Sequence, residues 1–394
     1  MQNFFVDLHI HIGRSSEGRP VKITAARDLT FANIVKECVE RKGIQVIGIV
    51  DCASPAVIED IDRLVQAGQM VELADGGLSY RDKVTVILGS EVETPAGQGT
   101  AHSLCYFPRL EQLKAFSGIM TRYIKNLNLS SQRAGLDLQG LWEIVDSLQG
   151  ILIPAHAFTP HKGVYGNCVA SLSEVLKHRA VDAIPAIELG LSADTDFADM
   201  FSELTGKSFV TNSDAHSLPK IGREYNILSM SEASFAELLK ALRREEGRKV
   251  VGNYGLHPRL GKYHRTHCLD CDAIVQVPPP ALACPICGST KVVLGVLDRI
   301  FQVRDREQPV HPDHRPPYYY QVPLQFLPKV GAKTIDKLIE RFGSEMEVLH
   351  FAPAEELAGI AGKAVSGVIV AAREGRLNLV DGGGGTYGRV IEGQ

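Results

Sequence analysis

Two histidines one residue apart, His9 and His11, close the apolar run Phe4-Phe5-Val6-Asp7-Leu8. In an extended chain, positions i and i+2 share a face, so both imidazoles project from one strand end. Held side by side, neutral imidazoles are good ligands for zinc, manganese or iron. The same spacing returns at Asp214 and His216, in Asn212-Ser213-Asp214-Ala215-His216. Between these pairs lie Asp51, Glu91, His102 and His156, each in or at the end of a short apolar run. Taken singly, each is an ordinary polar residue beside a strand. As a set of carboxylates and imidazoles they suit two or three divalent metals (zinc, manganese or magnesium), and Glu91 could bridge two of them. Paired metals lower the pKa of water and stabilise charge on both oxygens of an in-line displacement. A phosphoester can then be hydrolysed without a Ser or Cys nucleophile, and Asp214, His216 and Glu91 are the expected catalytic residues.

A second constellation is independent of the first. Cys268-x2-Cys271 and Cys284-x2-Cys287 are separated by twelve residues. Each tight turn aims two thiolates at one tetrahedral ion, so the four form a structural zinc site. Pro285 and Gly288 fit the turn chemistry. The remaining four of the eight cysteines (Cys38, Cys52, Cys105, Cys168) are scattered. That distribution argues for a reducing compartment and against a disulfide framework. No run is apolar enough to span a bilayer and no secretory signal is visible, so no membrane partner and a cytoplasmic location are expected.

The elements that must position the first set are short buried strands alternating with amphipathic helices. Ile44–Asp51, Val84–Glu91, Ala101–Phe107, Gly150–His156, Ala183–Leu189 and Ser208–Asp214 read as strands. Phe31–Arg41, Ala56–Leu73 and Phe235–Arg244 have helical spacing. This alternation predicts an α/β domain with a largely parallel sheet, and functional residues at successive strand ends favour a barrel. The barrel domain covers residues 1–255. An insertion at about 108–145 carries Arg122, Lys125 and Tyr123, then the only tryptophan, Trp142. It reads either as a grip on a nucleic-acid backbone or as a solvated cover with Trp142 in its core. His161 reads as a phosphate contact or a surface loop residue.

The zinc module spans 256–303, and an ordered linker rich in proline, arginine and tyrosine spans 304–323. An approximate repeat follows at 324–380. Leu327-Pro328-Lys329-Val330-Gly331-Ala332-Lys333 and Leu357-Ala358-Gly359-Ile360-Ala361-Gly362-Lys363 each precede a helical stretch. They look like two helix–hairpin–helix units, whose helix N-termini can hold DNA phosphates. Gly331, Lys333, Gly362 and Lys363, with Arg122 and Lys125, are therefore the candidate DNA contacts. Such local contacts are needed because the net charge is −4, which does not by itself attract nucleic acid. A bundle for protein contacts is the alternative. The Gly-rich tail, 381–394, is expected to be flexible.

The ordered motifs Asp7-Leu8-His9-x-His11, Asp51, Gly89-Ser90-Glu91, His102, His156 and Ser213-Asp214-Ala215-His216 resemble the PHP (polymerase and histidinol phosphatase) superfamily. That resemblance implies a distorted (β/α)7 barrel with two or three metals at its mouth. Family members commonly carry Thr-Asp-His where this chain has Val50-Asp51-Cys52, which makes Cys52 a possible thiolate ligand. Glu17 stands where some members place a third-metal histidine. The full order of PHP-type barrel, zinc module and helix–hairpin–helix-like all-α domain is similar to the endonuclease Q family. It implies a DNA repair endonuclease cutting 5′ to deaminated bases (uracil, hypoxanthine, xanthine) or abasic sites. Single- or double-stranded damaged DNA would be its substrate, with a replication sliding clamp as a candidate partner. The competing readings are a phosphatase or phosphodiesterase for small metabolites and a non-catalytic DNA-binding scaffold. The last 140 or so residues weigh against the first, and the intact ligand set against the second.

Overall fold

The computed structural model describes residues 1–391. Its first strand, β1 (Gln2–Ile10), is buried from Val6 onward, as a strand flanked on both faces must be. β1 pairs in parallel with β2 (Val46–Ile49), and β2 in parallel with β3 (Val84–Ala96). Then the direction alternates. β4 (Gly99–Phe107) is antiparallel to β3, and β5 (Ile151–Pro154) is antiparallel to β4. Only Gly97 and Gln98 separate β3 from β4. So short a connection permits a hairpin, whereas parallel neighbours need a crossover of about a dozen residues. The sheet is therefore mixed, which corrects the largely parallel expectation.

Backbone hydrogen bonds carry the ring onward. Ala157 N–H donates to the Glu188 carbonyl (2.9 Å) at the end of β6 (Ala186–Glu188). β6 runs parallel to β7 (Ser208–Val210). Beyond β7, Ala215 N–H donates to the His9 carbonyl and His11 N–H to the Ala215 carbonyl, both at 3.1 Å. The chain thus returns to β1, and its polar strand ends face one another. Two further strands, β8 (Tyr225–Met230) and β9 (Lys249–Gly255), continue antiparallel from the first half of β1.

The 304–323 stretch is built into this framework. Arg315 is almost fully buried, ion-paired to Asp199 at 2.7 Å and 3.5 Å above the Phe209 ring. Tyr318–Tyr320 forms β10, parallel to β9, and Tyr319 stacks on Tyr254. The helices of the 108–145 insertion each bury one face in the core. Helix Leu110–Met120 buries Leu113, Phe116 and Met120, and helix Leu138–Ser147 buries Leu141, Trp142 and Val145. Arg122 and Lys125 are exposed in the loop between them.

Four helices, Ala332–Phe342, Glu345–His350, Ala354–Ala361 and Lys363–Arg373, form the C-terminal layer. Lys42 Nζ reaches Glu345 at 2.7 Å, and the Tyr225 hydroxyl meets His350 Nε2 at 2.6 Å, so this layer docks on the strand framework. Gly362 has φ +86°, which only glycine adopts at little cost. Gly331 is extended at φ −86°, and the left-handed residue of its turn is Lys329, φ +66°. The two turns therefore differ in which residue takes the positive φ.

The Gly-rich tail is not the free segment expected from composition. Asn378–Val380 pairs antiparallel with Arg389–Ile391, and Gly382 N–H donates to the Arg259 carbonyl at 2.6 Å. A Cβ on Gly388 would lie 2.3 Å from the Val380 carbonyl oxygen. The glycines allow backbone to pack directly on backbone. The expected tail also includes residues 392–394, which lie outside the described residues.

Candidate metal centre

The β1 end delivers His9 and His11 together, with their Nε2 atoms 3.3 Å apart. Each ring is aimed by a buried carboxylate. Glu188 holds His9 Nδ1 at 3.1 Å, and Asp51 Oδ2 holds His11 Nδ1 at 3.0 Å while accepting the Ile12 N–H at 2.7 Å. With Nδ1 engaged, Nε2 is the atom offered to a metal, as in carboxylate–histidine pairs generally. Asp214 Oδ1 lies 3.6 Å from His9 Nε2 and 3.5 Å from His11 Nε2, completing a triad.

Glu91, His102 and His156 form a second triad. Glu91 Oε1 lies 2.8 Å from His102 Nδ1, 3.4 Å from His156 Nε2 and 3.5 Å from His9 Nε2. Its Oε2 lies 3.6 Å from His11 Nε2. Glu91 thus belongs to the second triad and faces the first. One member of each triad, His156 (φ +30°) and Asp214 (φ +44°), is held in left-handed backbone. Strain of this kind persists where the surroundings over-determine it and is concentrated at functional sites.

The electrostatics fit a cation. Asp51, Glu91 and Glu188 are buried beside the largely sheltered Asp214, and Lys22, 3.2 Å from Glu91 Oε2, is the cation against them. Burial opposes charge on His9, yet Glu188, Asp214 and Glu91 hold its pKa up at about 10. Burial likewise raises the pKa of Glu91, but His102 and Lys22 bring it well below the usual carboxylate range. A pocket that retains a proton on His9 this strongly has a negative potential, and a divalent cation can displace that proton.

His216 stands beside the first triad. Its ring lies 4.6 Å from that of His11, and its Nδ1 lies 3.0 Å from the Asp214 carbonyl oxygen. Burial and the neighbouring His11 push its pKa down to about 4, so it is neutral at physiological pH. Three candidate ligands lie elsewhere. Asp51 orients His11 instead of joining a triad. The Cys52 thiol donates to the Ile49 carbonyl in the core, where burial raises its pKa far above that of a reactive thiol. Glu17 is an exposed partner of Arg19 and Arg63. Lys22, Ser131 and the orienting role of Glu188 had no motif to reveal them. Ser131 reaches Glu91 from the 121–137 loop.

The four cysteines converge as their spacing demands. Cys268 and Cys287 Sγ are 3.6 Å apart, as are Cys271 and Cys284 Sγ. A tetrahedron with metal–sulfur bonds of about 2.3 Å has edges of about 3.8 Å, so the set fits one zinc ion.

Both triads open into a cavity of about 460 Å³, whose lining includes His161. Ionised carboxylates and imidazoles on a mixed α/β framework define a metal-dependent hydrolase. Comparison with known proteins specifies which. Residues 195–246, which carry Asp214 and His216, match the family model described as PHP-associated. The uncharacterized protein YqxK of Bacillus subtilis (strain 168) is 46% identical over 400 residues, spanning 99% of this chain and 100% of its own. The lesion-specific endonuclease PfuEndoQ from Pyrococcus furiosus is similar with TM-score 0.82 and 31% identity, over 99% of this chain and 95% of that one. An Endonuclease Q bound to a 27-mer duplex with an abasic lesion at its active site gives TM-score 0.84 and 31% identity, over 100% and 97%. The chain belongs to the endonuclease Q family.

Proposed function

We propose that this protein is a DNA repair endonuclease that hydrolyses the phosphodiester 5′ to a deaminated base or an abasic site. The observation that carries the reading is the pair of triads facing a shared Glu91 within one open cavity. The duplex with an abasic lesion at the active site of a family member supports the substrate class. In this reading the strand ring is a distorted (β/α)7 barrel of residues 1–255. Residues 256–303 are its zinc module, 304–323 a strap, and 324–380 a helix–hairpin–helix-like DNA-binding domain.

His9, His11 and Asp214 would hold one ion, and Glu91, His102 and His156 the other. Zinc, manganese or magnesium held there would supply Lewis acidity to the phosphodiester and lower the pKa of water. The chain's own residues do the rest. Asp51 and Glu188 fix the imidazoles, and Lys22 and Ser131 fix Glu91. His216, at the cavity wall beside His11 and Asp214, would border the first ion. A damaged base pairs weakly, which lowers the cost of moving its nucleotide into the cavity. The glycine-capped starts of helices Ala332–Phe342 and Lys363–Arg373 would hold the duplex backbone.

The test is incubation with end-labelled duplexes, each carrying one uracil, hypoxanthine, xanthine or abasic site, with Mn²⁺, Mg²⁺ or Zn²⁺. Nicking on the 5′ side of the lesion, absent from the undamaged duplex, is the expected result. Hydrolysis of a small phosphomonoester with every duplex left intact would make it a metabolite phosphatase. DNA binding without hydrolysis of either would make it a scaffold.

A further inference from the structure

The cavity has a wall that the triads do not explain. It is lined by Lys220, Arg223, Lys262, Tyr263 and Tyr387. Tyr387 arrives from the far end of the chain, and the Gly-rich tail is what brings it. Gly385 N–H donates to the Lys262 carbonyl and Gly388 N–H to the Leu260 carbonyl, both at 3.0 Å. A Cβ on Gly382 would lie 2.6 Å from the Gly261 carbonyl oxygen. The tail is therefore laid on residues 259–262, and any larger residue at Gly382 or Gly388 would lift it away.

Tyr387 is also tied to the metal centre. Arg223 Nη1 donates to its hydroxyl at 3.0 Å, while Arg223 Nε donates to the Ser213 carbonyl at 2.6 Å and Nη2 to the Asp214 carbonyl at 3.3 Å. The half-buried ring lines the cavity, with the Arg223 guanidinium 5.8 Å and the Phe326 ring 6.2 Å from its centroid. Lys262 Nζ lies 4.8 Å from the Tyr263 ring and 5.9 Å from the Tyr387 ring. Aromatic faces beside a cation are the chemistry that holds single-stranded nucleotides, the ring on a base and the cation at a phosphate.

We propose that Tyr387 is a positioning residue. Its ring stacks on a nucleotide base adjoining the scissile phosphate, and Lys262 meets a neighbouring phosphate. This rests on the endonuclease reading above. The experiment uses the full-length chain, a duplex with one deoxyuridine, and the same duplex without it. Tyr387→Ala should raise KM for the uracil duplex, and the Kd of metal-free protein for it, about tenfold, the size of one lost base–aromatic stack. The value of kcat and the affinity for the undamaged duplex should stay within about twofold. Tyr387→Phe, which keeps the ring, should restore KM. A Tyr387→Ala variant with wild-type KM overturns the proposal. So does a Tyr387→Phe variant as defective as Tyr387→Ala, because the hydroxyl's hold on Arg223 would then be what matters. Wild-type protein that nicks no duplex overturns the endonuclease reading itself, and this proposal with it.

Discussion

Glu91 is the residue on which both triads depend, since its two oxygens face His9, His11, His102 and His156. Glu91→Gln keeps the shape and removes the charge. It should lower nicking by about a hundredfold or more and reduce bound divalent metal, and Asp214→Ala should do the same. Asp51 belongs to a different tier. It touches no proposed ion but fixes His11, so Asp51→Asn should weaken metal affinity by about 10–100-fold while saturating metal recovers much of the rate. Metal titrations followed by activity separate the two outcomes. Full rate without added metal in Asp51→Asn would contradict the orienting role.

At the scale of elements, two small units can be tested without touching the centre. Cys268→Ser breaks the four-sulfur cluster and should release one zinc per chain by metal analysis, because a three-thiolate remnant no longer closes the tetrahedron. Equal zinc in variant and wild type would remove the cluster as a zinc site. The second unit is the joint between the C-terminal helices and the strand framework. His350 sits among Phe5, Tyr225 and Tyr254, where burial, then Arg373, push its pKa down to about 4. An unfolded histidine titrates near 6.5. The folded chain therefore binds fewer protons between these values. The stability conferred by neutral His350 is complete above about pH 6.5 and is lost as pH falls toward 4. Melting curves across that range should show a shallower acid slope for His350→Gln than for wild type. An unchanged slope would exclude His350 as the titrating group.

For the whole molecule, a net charge of −4 must coexist with a grip on a polyanion. The structure offers local donors for it. Exposed Lys333 and Lys363 stand at the starts of two helices whose caps are glycine. Contacts of this kind are blind to sequence and sensitive to salt. Lys333→Gln with Lys363→Gln should weaken binding to damaged and undamaged duplexes alike. It should also flatten the salt dependence by about one unit of slope per lost phosphate contact. Binding by fluorescence anisotropy across a salt series measures both. If the slope does not change, the exposed loop with Arg122 and Lys125 becomes the better candidate for the grip.

What the sequence determined by itself was chemistry with local spacing. His9 and His11 and the two Cys-x2-Cys pairs were legible because strand and turn periodicity decides where such close neighbours point. Asp214 lies beyond β7 in left-handed backbone, so its direction is set by the fold. The apolar runs located most strands within a few residues. Tertiary structure decided everything that needs two distant segments to meet. It divided the ligands into two triads around Glu91, and it turned Asp51 from ligand to support for His11. It also folded Cys52 into the core. The short link at Gly97-Gln98 forced an antiparallel pair into a sheet whose alternating pattern suggested parallel strands. Composition suggested flexibility for the tail because glycine usually adds entropy. Only the fold reveals that these glycines are small enough to lay Tyr387 against Arg223, a partner 164 residues away.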